Sequence, residues 1–243
     1  MHKVYKIKNN KMKSILLNSY KNKFGIDKFE NTHLLLNTNK LNEDEKKFYN
    51  IPIQIFGKTD RKSIFVKYFY TIFDKNYTIL YEYLNFIKNN IKPLYPKEKY
   101  LVIQKTPNIR FHLPGYSNIG SRETDKFQDI IGVHYDGEFG HPDTEMNIIL
   151  PITEMFDTNS IYYETTPNSK LNYDKYDNLI LKENEFFMGY FNKCNHYNKI
   201  NKTNITRVSL DFRIIPYSKY KKSDQYSATS KTKFELGKYY MLI

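Results

Sequence analysis

Residues 132–147, GVHYDGEFGHPDTEMN, hold two His-x-acid pairs, His134-Tyr135-Asp136 and His141-Pro142-Asp143. A neutral imidazole and a carboxylate can serve as two ligands of one divalent metal. With six histidines and 26 acidic residues in 243 positions, about half a match of this kind arises by chance, so context must separate the pairs. His134 follows the run Asp129-Ile130-Ile131-Gly132-Val133, which reads as a strand. There residues i and i+2 share a face, so His134 and Asp136 can reach one metal. His141 sits between Gly140 and Pro142, a turn context, and proline cannot donate to a sheet ladder. The first pair is the ligand pair.

A facial arrangement of two histidines and one carboxylate leaves three coordination positions open and needs a second histidine from elsewhere. His196 lies downstream, ahead of the strand-like run Thr206–Arg213. Within that run Arg207 and Ser209 share a face, where a guanidinium can grip a dicarboxylate through two hydrogen bonds and the hydroxyl adds a third. Other polar residues carry two or more readings. Arg110 and His112 lie on one face of a preceding strand, lining a pocket or forming an ion pair and a satisfied core histidine. His141 is a turn residue, a donor to a ligand, or itself a ligand. Glu145 and Asn147 alternate with Met146 and Ile148 and face either a polar cavity or solvent. Asp211 and Arg213 continue the Arg207 face as a structural ion pair. Asn201 and Thr203 contact a cosubstrate or shape their turn, and Cys194 packs in the core.

The elements that must position these residues fall into two textures. Residues 1–99 read as a helical region packed on the rest. From Lys62 to Ile91 apolar positions recur at helical spacing, with a break near Asp74, and Pro93 and Pro96 close the segment. Residues 100–243 read as a β core with a C-terminal extension. Short runs at 100–104, 109–113, 130–135, 145–152, 160–164, 179–181, 186–191 and 206–215 are separated by turn residues, the pattern of an antiparallel sandwich or barrel. Eight such strands suit a jelly roll, so the expected class is mainly β with a helical N-terminal region.

A single cysteine excludes a disulfide framework and a thiolate-rich zinc site. No apolar run is long enough to span a bilayer, and the basic N-terminus lacks the apolar length of a signal sequence. These features place the protein in the cytosol. The net charge of +12 invites a nucleic-acid partner, but the lysines are scattered along the whole chain. The 23 tyrosines and 17 phenylalanines are spread as evenly, which fits packing better than base stacking. A small anionic substrate is compatible with the charge; the oligomeric state is left open.

His134-x-Asp136, a distant His196, then Arg207 and Ser209 together resemble the iron(II)/2-oxoglutarate-dependent oxygenases. The similarity is greatest to a bacterial branch encoded with aminoglycoside pathways, of the streptomycin-cluster type. Its residues here are Arg110-Phe111-His112-Leu113-Pro114-Gly115, Gly140-His141, Glu145-x-Asn147, Leu150-Pro151-Ile152-Thr153, Asn159-Ser160, Asn201-x-Thr203, Thr206–Arg213 and Gly237-Lys238-Tyr239-Tyr240. It covers roughly residues 100–216 and leaves the helical part aside. The resemblance implies a double-stranded β-helix in which His134, Asp136 and His196 bind Fe(II). It implies that Arg207 and Ser209 bind the distal carboxylate of 2-oxoglutarate, and that O2 is the oxidant, with succinate and CO2 as co-products. Arg110, His112, His141, Glu145 and Asn147 would then stand near the substrate. Asp136 occupies the position that related halogenases leave without a carboxylate, which favours hydroxylation, here of a small polar metabolite such as an amino acid, sugar or aminocyclitol derivative. The branch often carries glycine after its distal histidine, whereas this chain has Tyr197. Two other readings stand beside this one: a metal-free jelly-roll module for an acidic ligand or nucleic acid, and an oxygenase acting on a protein side chain or nucleobase.

Overall fold

The computed structural model describes residues 2–34, 43, 63–115, 130–167, 176–228 and 230–243. Among the described residues three α-helices precede most of the strands: α1 (Met12–Phe24), α2 (Ile64–Lys75) and α3 (Tyr77–Phe86). Helix α1 buries Met12, Leu16, Tyr20 and Phe24, a single stripe at four-residue spacing, and stops at Gly25, whose φ of 74° suits the left-handed cap. The Ser63 hydroxyl accepts from Phe65 N to open α2, and Asn76 Oδ1 accepts from Thr78 N to open α3. The break expected near Asp74 therefore falls at Asn76, where a side chain competes with the helix backbone.

The strands form two antiparallel sheets. They are β1 (Lys3–Lys6), β2 (Leu101–Gln104), β3 (Asn108–His112), β4 (Ile130–His134), β5 (Met146–Pro151), β6 (Ile161–Glu164), β7 (Tyr176–Asn178), β8 (Glu185–Gly189), β9 (His196–Lys199), β10 (Arg207–Pro216) and β11 (Tyr240–Leu242). The larger sheet runs β1-β8-β5-β10-β2-β11, with β3 also paired to β10; the smaller runs β4-β9-β6-β7. From β4 to β10 the chain passes between the sheets at every connection except β6 to β7, and β11 returns to the larger sheet that holds β10.

Several boundaries depart from the sequence expectations. Residues 1–99 contain β1, whose Lys3–Lys6 pairs with Met188–Glu185 of β8. The run 179–181 is not itself a strand: β7 ends at Asn178, and Leu181 makes an isolated bridge to Met155. Strand β9, His-Tyr-Asn-Lys, has no apolar run to announce it, whereas β11, Tyr-Met-Leu, has one but lies beyond the last expected strand at 206–215.

Period-two alternation on β10 explains how a wholly buried strand can carry charges. Val208, Leu210, Phe212 and Ile214 join the helices in the main core, alongside Met146, Ile148 and Leu150 of β5 and Phe186 and Met188 of β8. Arg207, Ser209, Asp211 and Arg213 take the opposite face, toward the smaller sheet. The space between the sheets is divided. One part is apolar, filled by Ile149, Met155, Ile161, Leu179, Leu181, Phe187 and Phe191, and the other holds the polar groups described below.

Phe212 ties the helices to the sheet, its ring centroid 5.0 Å from Tyr83 and 6.3 Å from Phe86, with no exposed surface. Phe212→Ala is expected to cost about 3–5 kcal/mol of folding stability. Urea denaturation checks this, and a loss below about 1 kcal/mol would show that the helices do not depend on this packing.

Candidate metal centre

His134 closes β4 and His196 opens β9, and the two stand opposite each other in the antiparallel register. A register irregularity precedes His134, at Gly132, whose φ of 69° is costly for any residue with a side chain. Asp136 is not on the strand, as the i, i+2 reading supposed. It begins a 3-10 turn, Asp136–Phe139, that leaves the strand end. The turn is anchored by Asp136 N donating to Phe191 O (2.8 Å) and Gly137 N to Asn192 O (3.2 Å). A Cβ on Gly137 would sit 2.7 Å from Asn192 O, so only glycine permits this approach.

The geometry still brings the three residues together. One donor atom from each of His134, Asp136 and His196 lies within 4.8 Å of the others, among the described residues the one such group of metal-binding side chains. Asp136 Oδ1 is 3.8 Å from His134 Nε2 and 3.7 Å from His196 Nε2. Cis ligands at metal bonds of about 2.1 Å stand roughly 3 Å apart, so both carboxylate–imidazole separations are within about 1 Å of that spacing.

The outer atoms of the three residues are committed elsewhere. His134 Nδ1 lies 2.5 Å from Gly132 O and His196 Nδ1 3.1 Å from Cys194 O. A carbonyl only accepts, so both Nδ1 atoms carry the proton and both Nε2 atoms offer lone pairs inward. Asp136 Oδ2 accepts from Asn147 Nδ2 and Arg213 Nη2, each at 2.7 Å. Phe191 stacks on His196 with centroids 4.5 Å apart and planes inclined by 18°, and Phe139 lies edge-on to His134. Tyr197 points to the other face and stacks on Tyr162, so its difference from glycine does not reach the pocket.

Electrostatics sets the protonation that metal binding needs. Burial, and then the neighbouring His134, lower the His196 pKa to about 3, outweighing Asp136. Burial alone would raise the Asp136 carboxyl, but Arg213 and the nearby histidines hold it well below the usual range. Neutral imidazole and ionised carboxylate are the ligating forms.

Arg207 is fully buried. Its Nε donates to Asn159 O (2.9 Å), Nη1 to Ser209 Oγ (2.8 Å) and Nη2 to Asn198 Oδ1 (3.0 Å). From sequence Asn198 is not singled out, and Asn159 is given only within the resembling segment Asn159-Ser160, with no role. Asn198 follows His196 by two residues on β9, so the two share a face, and the period-two rule would have found it had β9 been recognised. Asn159 acts through its carbonyl, which also receives His112 Nδ1 at 3.0 Å.

The other expected residues occupy defined places. His112 is buried opposite Arg207. Glu145 is fully buried, with His141 Nδ1 2.7 Å from one oxygen and the Tyr240 hydroxyl donating to the other. Asn147 contacts the Asp136 carboxylate. Arg110 is partly exposed, 3.5 Å from Asp211. Arg213 pairs with Asp211 at 3.1 Å, as expected, but it also reaches Asp136 at 2.7 Å, so it is more than half of a structural ion pair. Asn201 shapes its turn: Oδ1 accepts from Thr203 N and Oγ1, and Nδ2 donates to His112 O and Ile205 O. Asp143, the acid of the second pair, is exposed. Burial raises the Cys194 thiol pKa to about 11, and its carbonyl, not its sulfur, serves the site.

No family model matches the chain. The streptomycin biosynthesis protein StrG of Streptomyces griseus is 30% identical over 140 residues, which is 57% of this chain and 58% of StrG. The match thus spans less than two thirds of that relative. Among solved structures, the apo non-heme monooxygenase ThoJ superposes with a TM-score of 0.45 at 8% identity, over 87% of this chain and 72% of ThoJ. The α-ketoglutarate-dependent epimerase SnoN from nogalamycin biosynthesis gives 0.34 at 11%, over 47% and 48%. A 2OG-Fe(II) oxygenase-family protein from Burkholderia pseudomallei gives 0.35 at 13%, over 52% and 48%. These are partial superpositions. No helix among the described residues is long and apolar enough to cross a membrane.

Burial also lowers the His2 pKa, to about 4. Both His2 and His196 have folded values below the unfolded value near 6.5, so the unfolded chain binds the additional protons. Stability of the metal-free protein is therefore expected to decline as pH falls below about 6.5, down toward the folded values. Denaturation midpoints taken across this range check the slope, and His196→Gln should reduce it. A profile flat from about pH 6.5 to 5 would contradict the neutral, buried state of His196.

Proposed function

We propose that the protein is an Fe(II)- and 2-oxoglutarate-dependent dioxygenase that hydroxylates a small polar metabolite. The observation that carries this reading is the convergence of His134 Nε2, His196 Nε2 and Asp136 Oδ1 while every other polar atom of those side chains is held by the protein. Two imidazoles and one carboxylate form the donor set of non-haem Fe(II) oxygenases. When bound, iron, 2-oxoglutarate and O2 together supply the oxidising power, with succinate and CO2 as co-products.

The chain's own residues do the positioning. His134, Asp136 and His196 hold the metal in three positions. Arg207 presents a guanidinium fixed by Asn159, Ser209 and Asn198, which suits the remote carboxylate of the cosubstrate. Asn198 and His196 are roughly 7 Å apart along one strand face, so metal and clamp lie within reach of one short dicarboxylate. The strand order supports a double-stranded β-helix, with the metal residues between its sheets. Arg110 and His141, at the edge of this polar region, are the best placed of the remaining residues to meet a substrate. The relation to a protein named for streptomycin biosynthesis supports a sugar or aminocyclitol class.

Purified protein given Fe(II), 2-oxoglutarate and air should form succinate slowly without any added substrate. His134→Ala or Asp136→Ala should reduce this at least about a hundredfold, and Arg207→Lys should raise the 2-oxoglutarate concentration required about tenfold or more. Succinate release by the wild type that survives loss of His134 and Asp136 would refute the assignment.

A further inference from the structure

Asp136 has two oxygens in unlike surroundings. Oδ1 lies 3.8 and 3.7 Å from the two inward-facing imidazole nitrogens. Oδ2 is held at 2.7 Å by both Arg213 Nη2 and Asn147 Nδ2. Arg213 and Asn147 face each other directly across β10 and β5, so their side chains project from one sheet face onto the same atom. We infer that Arg213 and Asn147 act as positioning residues that restrict Asp136 to one metal bond, thereby keeping open the coordination position that the cosubstrate needs. This rests on the proposed iron and 2-oxoglutarate site.

The chemistry of carboxylates makes such a device necessary. An unrestrained carboxylate can chelate a metal through both oxygens. With two histidines, chelation would leave two positions rather than three, too few for a 2-oxo acid bound through two atoms together with O2. Two charge-assisted or buried hydrogen bonds on Oδ2 oppose that rotation. Arg213 is ion-paired on its other side as well. Arg213 Nη1 lies 3.1 Å from Asp211 Oδ1, and Asp211 Oδ2 lies 3.5 Å from Arg110. Asn147 is buried, and among the described residues its amide oxygen has no hydrogen-bond partner, so its one side-chain hydrogen bond is the N–H donated to Asp136. A donor serving stability alone would hold either oxygen equally well. Here both donors take the same one, and it is the oxygen turned away from the histidines.

The test uses Ni(II), then 2-oxoglutarate, titrated calorimetrically into the full chain. The wild type should bind one nickel and then one 2-oxoglutarate; failure of either would count against the functional reading itself. Arg213→Met should bind nickel as tightly as the wild type or more tightly, because a nearby positive charge is gone and a second carboxylate oxygen is released. Its nickel form should bind 2-oxoglutarate at least about tenfold more weakly, and Arg213→Lys should recover part of that loss. A crystal structure of nickel-loaded Arg213→Met should show both Asp136 oxygens on the metal. Should Arg213→Met fail to fold, Asn147→Leu, which removes one of the two donors, should show the same divergence at about threefold or more. Nickel and 2-oxoglutarate affinities that fall together, a 2-oxoglutarate affinity equal to wild type in the folded variants, or a single Asp136 oxygen on nickel in Arg213→Met would overturn the inference.

Discussion

The carboxylate of Asp136 is held between the two sheets. Its backbone leaves the end of β4 in the smaller sheet, and its Oδ2 is gripped by Asn147 and Arg213 from the larger one. A buried carboxylate is costly unless it is paired and hydrogen-bonded. That requirement fixes the spacing of the sheets at this point, the rotamer of Asp136, and hence the direction of the oxygen that faces the two histidines. Removing Arg213 would leave this buried carboxylate without its arginine, at a cost of about 3–5 kcal/mol.

The division of the inter-sheet space follows from the same requirement. Where the strands present Ile149, Ile161, Phe187 and Phe191, the sheets close on an apolar cluster. Where they present Asn147, Asp211, Arg213 and Arg207, they close only because each charge meets an opposite charge or a directed acceptor. Strand β10 carries this contrast on its two faces. Its apolar residues bind the helical layer, which shields the charged face from the rear and makes the low-dielectric surroundings in which those pairs are strong. The helices thus serve the site indirectly, through β10.

Much of this arrangement was legible in the sequence where a local rule applied. The choice of His134-x-Asp136 over His141-x-Asp143 rested on strand context and on proline, and the structure separates them in the same way: Asp143 is exposed while His141 turns to Glu145. Arg207 and Ser209 share a face by period two and do hydrogen-bond. What escaped was set by partners distant in the chain. The segment His-Tyr-Asn-Lys of β9 has no apolar alternation and is a strand because β4 and β6 pair with it, and with β9 unseen, Asn198 was unseen too. Period two places Arg213 on the Arg207 face but says nothing of which groups the opposite sheet brings toward it, so its contact with Asp136 was missed. Asn147 was read as facing a cavity or solvent for the same reason. The irregularity at Gly132 and the turn after His134 changed how Asp136 reaches the site without preventing it.

On the proposed reading, a single cosubstrate spans a metal at His134, Asp136 and His196 and the guanidinium of Arg207. Thermodynamic coupling between the two measures this most directly. The dissociation constant of 2-oxoglutarate should fall by about tenfold or more when the protein is loaded with a redox-inert divalent metal, and this gain should vanish in His196→Ala. Glutarate, which has the same two carboxylates and no keto oxygen, should show much less coupling. Equal affinities for 2-oxoglutarate with and without metal would contradict this reading.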